Sequence, residues 1–314
     1  MRTALVILRT PFQAWMAKKV LAEERACSCV ALYFTQENSE EDRHYYNEIS
    51  LLSESSKYIY VPKTKWDILG QVRFKNAIRG WLHDLKLDIT LFSSIDAFIP
   101  SAIMAKQKNS RLITFDDGTG NINCESVYFK EKLNLRGRFY RKCFGGLSLE
   151  ETKKNIYRHY TLHPGFANIV DSSRIVPVPG WTDEQLSPRH GPIKRYFLGA
   201  PFFRRELKES IIHDLERYLA SLGIHAYIRH PREIQPLNVG APELQKNGLI
   251  AEEAILKDAG SAPIHVLGAS SSVLFNMAFV AQCRTMLLFS SSFSSMESLA
   301  LASGCNVKIF EATR

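Results

Sequence analysis

Three short clusters carry the side chains that could do chemistry. Asp116-Asp117-Gly118 puts two carboxylates on a turn behind the apolar residues 112–115. A carboxylate at such a tip can take a proton from a hydroxyl, and glycine permits the positive φ that reverses the backbone beside a ligand. Two adjacent acids cannot both point into one pocket. One is therefore expected to act as a base and the other to fix the loop through backbone amides. Arg229-His230-Pro231-Arg232 follows residues 225–228. Pro231 ends regular pairing and leaves an imidazole at the tip, placed to donate to a phosphate and protonate it as it leaves. Gly268-Ala269-Ser270-Ser271-Ser272 stands between a predicted strand and a predicted helix. Amides and hydroxyls at a helix start suit an anion, although serine is also the common N-cap. Glu252 and Glu253 open the preceding helix, where they are either ribose ligands or plain exposed acids.

Other patterns exclude chemistry. No Gly-Lys-Ser follows the serine cluster, so it is no Walker loop, and no GxGxxG supports a dinucleotide cofactor. The two acids are adjacent rather than one residue apart, which speaks against an Asp-x-Asp metal clamp; no metal and no cofactor are expected. A second His-Pro pair, His163-Pro164, reads as a turn in an irregular stretch. The six cysteines form no metal-spaced quartet and read as reduced thiols.

The elements that must hold these clusters alternate. Strands are predicted at residues 4–8, 30–34, 58–61, 89–92 and up to Phe115, with a helix opening at Thr10-Pro11. Further helices run through Ile68, Val72, Ile78 and Leu82, and through Phe98, Ile103 and Met104. Residues 176–193 hold Pro177, Pro179, Gly180, Pro188, Gly191 and Pro192 and read as a linker. Beyond it, strands at 196–198, 226–228, 264–267, 285–289 and 307–310 alternate with helices at 206–222, 251–256, from Ser271 or Ser272 to Val280, and 296–302. Alternation with short links implies parallel sheets covered on both faces. The fold class expected is α/β of GT-B type, with two Rossmann-like domains, 1–185 and 186–314, facing across a cleft. Every cluster then lies beyond the carboxyl end of a strand, where such sheets bind ligands.

The net charge of +8 arises from 40 basic and 32 acidic residues. Part of the excess is local: Lys130, Lys132, Arg136, Arg138, Arg141 and Lys142 interleave with Tyr128, Phe129, Phe139, Tyr140 and Phe144. That mixture suits an anionic membrane surface or a phosphorylated glycolipid, against the plainer reading of a solvated helix face. No nucleic-acid recognition motif accompanies it. Arg9 breaks the N-terminal apolar run and no cleavage site follows; no stretch nears the roughly 18 apolar residues of a membrane span. The expected location is the cytoplasm, free or peripheral on the inner face of the membrane. Whether two copies pair as a homodimer is left open.

Thr10-Pro11-Phe12-Gln13, Asp116-Asp117-Gly118, His230-Pro231 and Ser270-Ser271-Ser272 together resemble bacterial sialyltransferases, most of all glycosyltransferase family 52, the lipooligosaccharide sialyltransferases. The resemblance spans most of the chain in order and spacing, on short motifs. It implies CMP-sialic acid as the donor substrate, no metal, inversion at the anomeric carbon, and an acceptor ending in galactose, commonly at its 3-OH. Carried over, His230 neutralises the departing phosphate and Ser271 and Ser272 hold it, with Pro231, Gly268 and Ser270 beside them. Glu252 or Glu253 holds the ribose. Asp117 deprotonates the acceptor, and Thr10, Pro11, Gln13 and Asp116 line the acceptor side. In the family the base can instead precede the His-Pro strand, where this chain offers Glu206 or Glu209. The rival donor is another nucleotide sugar, UDP-glucose or a different CMP-keto sugar. A rival from another class is a non-catalytic protein bound to anionic membrane.

Overall fold

A computed structural model describes residues 2–24, 28–61, 76, 78, 80–82, 85–106, 109–130, 135–143, 146–201, 206–289 and 294–310. The positions expected at Ile68, Val72, Cys27, Lys132 and Phe144 lie outside these, as do the side chains of Arg136 and Tyr140. The chain divides into two compact units, residues 1–179 and 180–314.

In the first unit the order is β1 (Thr3–Leu8), α1 (Pro11–Glu24), β2 (Ser28–Thr35), α2 (Glu40–Leu51), β3 (Ser55–Tyr60), β4 (Ile89–Phe92), α3 (Phe98–Met104) and β5 (Arg111–Phe115). A 3-10 turn (Gly118–Asn121), α4 (Leu135–Cys143), α5 (Leu149–Asn155), β6 (Ile156–Thr161) and β7 (Ile175–Pro177) follow. The sheet runs β3-β2-β1-β4-β5-β6-β7, every pair parallel. β2 is buried along its whole length and β1 from Ala4 to Leu8, the near-continuous apolar reading of a sheet covered on both faces. Leu5, Ile7, Val30, Leu32, Phe92 and Leu112 join one core cluster. Each such side chain contributes about 1.5–3 kcal/mol when fully buried. Strand order reverses between β1 and β4, so the carboxyl ends of β1, β4, β5 and β6 crowd around a switch point.

β6 and β7 lie where no strand is expected, β6 in the irregular stretch before the linker and β7 across the linker's start. Tyr157, Arg158 and His159 hide β6 from a hydrophobicity pattern. The basic segment also departs from expectation, because it is no uniform surface patch. Tyr128 and Arg141 are buried, and Lys130 pairs with Glu125 at 2.6 Å. Arg138, Phe139 and Lys142 remain exposed, Phe139 at 67%.

The second unit holds α6 (Asp183–Leu186), β8 (Lys194–Leu198), α7 (Glu209–Leu222), β9 (Ala226–Ile228), α8 (Ala251–Ala259), β10 (Ile264–Gly268), α9 (Ser272–Asn276), β11 (Cys283–Leu288), α10 (Ser294–Ala302) and β12 (Asn306–Ile309). Its parallel sheet runs β12-β11-β10-β8-β9. α7 buries Ile211, Ile212, Leu215 and Leu219, a stripe at helical spacing, against Phe197, Leu267 and Leu287. The division falls after Pro179 rather than between 185 and 186. The Trp181 indole donates to the Asn276 carbonyl (3.0 Å), and the His190 N–H to that of Ser261 (2.8 Å). Most of the Pro/Gly stretch is thus tied into the second unit. Its beginning, Val176 and Pro177, is part of β7 in the first.

Candidate active site

At the tip of β5 the two adjacent acids part company. Asp116 is wholly buried. Its Oδ2 accepts from the Leu162 N–H (2.7 Å) and the Thr161 hydroxyl (2.9 Å), which fastens β5 to β6. Its Oδ1 lies 3.2 Å from His159 Nε2, and His159 Nδ1 sits 2.8 Å from the Thr114 hydroxyl. Asp116 is therefore a loop-fixing acid. The expectation that it touches an acceptor is corrected by this burial and these bonds.

Asp117 is half-buried and turned elsewhere. Its Oδ2 accepts a 2.5 Å bond from the Tyr128 phenol and a 3.3 Å bond from the Ser94 hydroxyl, while its N–H donates to Asn121 Oδ1 at 3.1 Å. Gly118 takes φ 62°, the left-handed turn that starts the 3-10 segment and sends the chain away from the strand tip. Ser94, just beyond the tip of β4, is held from α1: Gln13 Nε2 donates to its hydroxyl (2.9 Å), and Gln13 Oε1 accepts the Arg9 N–H (2.8 Å). Gln13 is buried, so it supports Asp117 through Ser94 and does not face an acceptor itself, another correction. Thr10 is exposed and Pro11 partly so. Asp96 completes the group. Burial pushes its carboxyl up, Arg9 opposes that, and the Asp117 charge adds to it. Burial, then Asp117 and Asp96, push the Tyr128 phenol well above its ordinary value. Arg141 of α4 donates to the Asp96 carbonyl, linking the basic helix to this tip.

In the second unit, His230 is partly exposed beyond β9. Its Nδ1 accepts the Arg232 N–H at 3.1 Å, which leaves the ring proton on Nε2. The turn closes on itself: the Glu233 N–H donates to the His230 carbonyl (2.9 Å), and Arg229 Nη2 to the Glu233 carbonyl (3.0 Å). Gly268 ends β10 packed on Leu198, Ser270 is exposed, and Ser271 caps α9 by accepting the Val273 N–H at 3.4 Å. α9 is only five residues long and ends at Asn276, short of Val280. β10 and β9 flank β8, so the serine loop and His230 lie on either side of Gly199 at the same end of the sheet.

Glu252 is buried, its Oε1 accepting from Asn276 Nδ2 at 2.7 Å, and burial pushes its carboxyl up despite that bond. Of the two glutamates only Glu253 has solvent access. Glu206 and Glu209 are exposed. Ser94, Asp96, Tyr128, Asn121 and Glu233 escaped the sequence reading. Ser93-Ser94 directly after a predicted strand was the available signal, whereas Tyr128 was masked by the basic and aromatic residues around it. Among the described residues no group of three His, Cys, Asp or Glu side chains could hold a metal ion. Among them also, no helix is long and apolar enough to cross a membrane.

The profile of glycosyltransferase family 52 matches residues 32–288, a span that contains Asp116-Asp117-Gly118, His230-Pro231 and the serine loop. The chain is 22% identical over 273 residues to an N-acetyllactosaminide alpha-2,3-sialyltransferase of Neisseria meningitidis, covering 82% of this chain and 70% of the relative. It is 22% identical over 275 residues to a CMP-N-acetylneuraminate:beta-galactoside alpha-2,3-sialyltransferase of Pasteurella multocida, covering 87% and 86%. Two solved structures share the fold across nearly the whole chain. A UDP-N-acetylglucosamine 2-epimerase aligns with TM-score 0.56 and 11% identity, over 99% of this chain and 84% of its own. The glycosyltransferase SnogD from Streptomyces nogalater aligns with TM-score 0.54 and 10% identity, over 99% and 88%. The fold is thus of the GT-B class, with two Rossmann-like domains.

Proposed function

The chain belongs to glycosyltransferase family 52, and on that basis we propose that it transfers sialic acid from CMP-sialic acid to a galactose-terminated glycan, with α2,3 linkage. The observation that carries this reading is the family match, which encloses the carboxylate, His-Pro and serine motifs in one span. Two relatives, named for alpha-2,3 transfer to a beta-galactoside or N-acetyllactosaminide, support the acceptor class. A lipooligosaccharide or capsule chain on the bacterial surface is the natural acceptor we assign, modified from the cytoplasmic side. Arg138, Phe139 and Lys142 are then the exposed residues that meet the inner membrane face.

The chemistry is a single inverting displacement without metal. The galactose 3-OH attacks the anomeric carbon of sialic acid as its bond to the CMP phosphate breaks. Asp117 takes the hydroxyl proton, and its bonds to Tyr128, Ser94 and Asn121 hold it for that task. Glu206 is the alternative base. His230 presents its Nε2–H to the phosphate that leaves, joined by the Ser271 and Ser272 hydroxyls. With Nδ1 already accepting a backbone N–H, the ring meets the developing charge mainly as a hydrogen-bond donor. Glu253 takes the ribose diol, because the Glu252 carboxyl is engaged by Asn276. Thr10 and Pro11 face the acceptor.

The test is turnover of CMP-sialic acid with lactose in the presence of EDTA, following CMP release and product mass. Sialyl-lactose formed without metal supports the donor, the galactose acceptor and the metal-free step, and digestion with an α2,3-specific sialidase reads the linkage. Tight CMP binding without turnover would overturn the acceptor assignment. If CMP neither binds nor forms, the donor is a nucleotide sugar other than a CMP sugar, and a screen that begins with UDP-glucose identifies it.

A further inference from the structure

Glu233 lies three residues beyond His230 and is 4% exposed, an unusual place for an acid without a cation on its carboxylate. Its Oε2 accepts the His230 N–H at 3.3 Å. Its own N–H reaches back to the His230 carbonyl at 2.9 Å, and its carbonyl takes Arg229 Nε and Nη2 at 3.3 and 3.0 Å. Both ends of the His230 peptide unit and the preceding arginine thus converge on one residue. Burial and then the adjoining Glu233 carboxyl push the Tyr227 phenol well above its ordinary value, so the two groups interact side by side, while Glu233 Oε1 keeps no partner of its own. Tyr227 stacks on Phe197, with ring centroids 5.6 Å apart, which fixes the wall against which the carboxyl rests.

Gly199, at the tip of β8, leaves the space for that carboxyl. A Cβ there would stand 2.1 Å from Glu233 Oε2 and 2.6 Å from the Tyr227 hydroxyl, so no side chain fits while Glu233 stays in place. The Gly199 N–H donates to the Ile228 carbonyl at 2.9 Å, holding the two strand tips together directly below His230. A buried acid with an unsatisfied oxygen is a cost that packing alone does not explain, since an apolar residue of similar size would avoid it. What the carboxyl supplies here is an acceptor for a backbone N–H that no neighbouring carbonyl takes.

We propose that Glu233 is a positioning residue that sets the orientation of His230 through its backbone, with Gly199 and Tyr227 shaping the pocket that holds the carboxyl. The proposal rests on the role assigned to His230 above. Because the geometry of a donor towards a leaving phosphate must be held to fractions of an ångström, a loosened turn lowers kcat with little change in substrate affinity.

The test compares Glu233→Gln, Glu233→Ala, His230→Ala and the double variant His230→Ala/Glu233→Ala, with CMP-sialic acid and lactose, each rate expressed per folded molecule. Glu233→Gln keeps an oxygen for the His230 N–H and is expected within about 3-fold of wild type, while Glu233→Ala loses about 10–100-fold in kcat with KM for CMP-sialic acid nearly unchanged. The double variant should be no slower than His230→Ala, because Glu233 acts only through that residue. Should Glu233→Ala fail to fold, Glu233→Asp, which withdraws the acid by one methylene, takes its place. If His230→Ala itself turns over at the wild-type rate, the role of His230 is wrong. If His230→Ala is inactive while Glu233→Ala keeps its kcat, or if the two losses multiply, the positioning role is overturned.

Discussion

Asp116 and Asp117 are neighbours whose substitutions are expected to fail in opposite ways. Asp116→Ala removes the acceptor of the Leu162 N–H at 2.7 Å and of the Thr161 hydroxyl at 2.9 Å, in a place with no solvent access. A buried donor left unsatisfied costs about 1–3 kcal/mol. Thr161 retains the His163 N–H as a partner for its oxygen, so the larger share falls on the Leu162 amide. The two donors together give a loss of about 2–5 kcal/mol. Set against a total stability of about 5–15 kcal/mol, that is a large fraction. At about 2–4 °C per kcal/mol it lowers the melting temperature by roughly 4–20 °C. Asp117→Asn, by contrast, keeps the shape and leaves the amide oxygen to accept from Tyr128. Its stability is expected within about 1 kcal/mol of wild type, while loss of the base lowers kcat by about 10²–10⁴-fold. Urea unfolding followed by tryptophan fluorescence, paired with CMP release, separates the two. An Asp116→Ala protein that melts with the wild type, or an Asp117→Asn protein that keeps its turnover, would refute the division of labour between the two acids.

Burial raises the Glu252 carboxyl, so its contribution to stability is present below the unfolded-state value and lost as pH rises through the folded one. Glu252→Gln, with its amide oxygen still open to Asn276, should therefore unfold at higher urea than wild type at pH 8 and match it near pH 4; the reverse order sinks the argument. His265 runs the other way. Burial and then Arg195 bring it down from 6.5 to about 4, so stability is full above pH 6.5 and falls as the pH drops towards 4. Allowing for its partial exposure, the loss is about 1–2 kcal/mol, and His265→Gln should flatten that part of the pH–stability curve. Ser271→Ala removes an N-cap worth at most about 1 kcal/mol. If the hydroxyl also holds the donor phosphate, KM for CMP-sialic acid rises well beyond what that stability change explains, and an unchanged KM argues for capping alone.

The doubly wound architecture was legible because its strands announce themselves. Buried apolar runs such as residues 4–8 and 89–92 between helices leave few alternatives, and β4 and β9 fall on the residues predicted. β6 was not legible, since its buried positions include His159 and its exposed ones Tyr157 and Arg158, which break the period. The same blindness explains Tyr128 and Arg141. Composition groups them with the cations and aromatics of a surface patch, whereas tertiary contacts turn both inward onto the β4 and β5 tips. Gln13 and Asp116 were found by motif yet assigned to the wrong partner, because a sequence shows residue type and spacing but not which way a side chain turns. Glu233 had no signal beyond standing three places after His230.

The choice between Asp117 and Glu206 as base turns on what holds each carboxyl. A general base must meet its hydroxyl within about 0.5 Å and 10–20° of the productive geometry, which requires its own rotamer to be fixed. Asp117 receives two side-chain hydrogen bonds from two elements, while its backbone is tied to Asn121. One of its donors, Ser94, is itself fixed by a buried glutamine from a third element. Glu206 is an exposed side chain on a longer stem, so the contacts it makes are open to solvent rather than enclosed as those of Asp117 are. The short Tyr128 bond holds the Asp117 carboxylate in one rotamer, the condition that a base would have to meet. On that account Tyr128→Phe should loosen the carboxylate and lower kcat, and Glu206→Gln should leave kcat alone. A Glu206→Gln protein as slow as Asp117→Asn would move the base to the second unit.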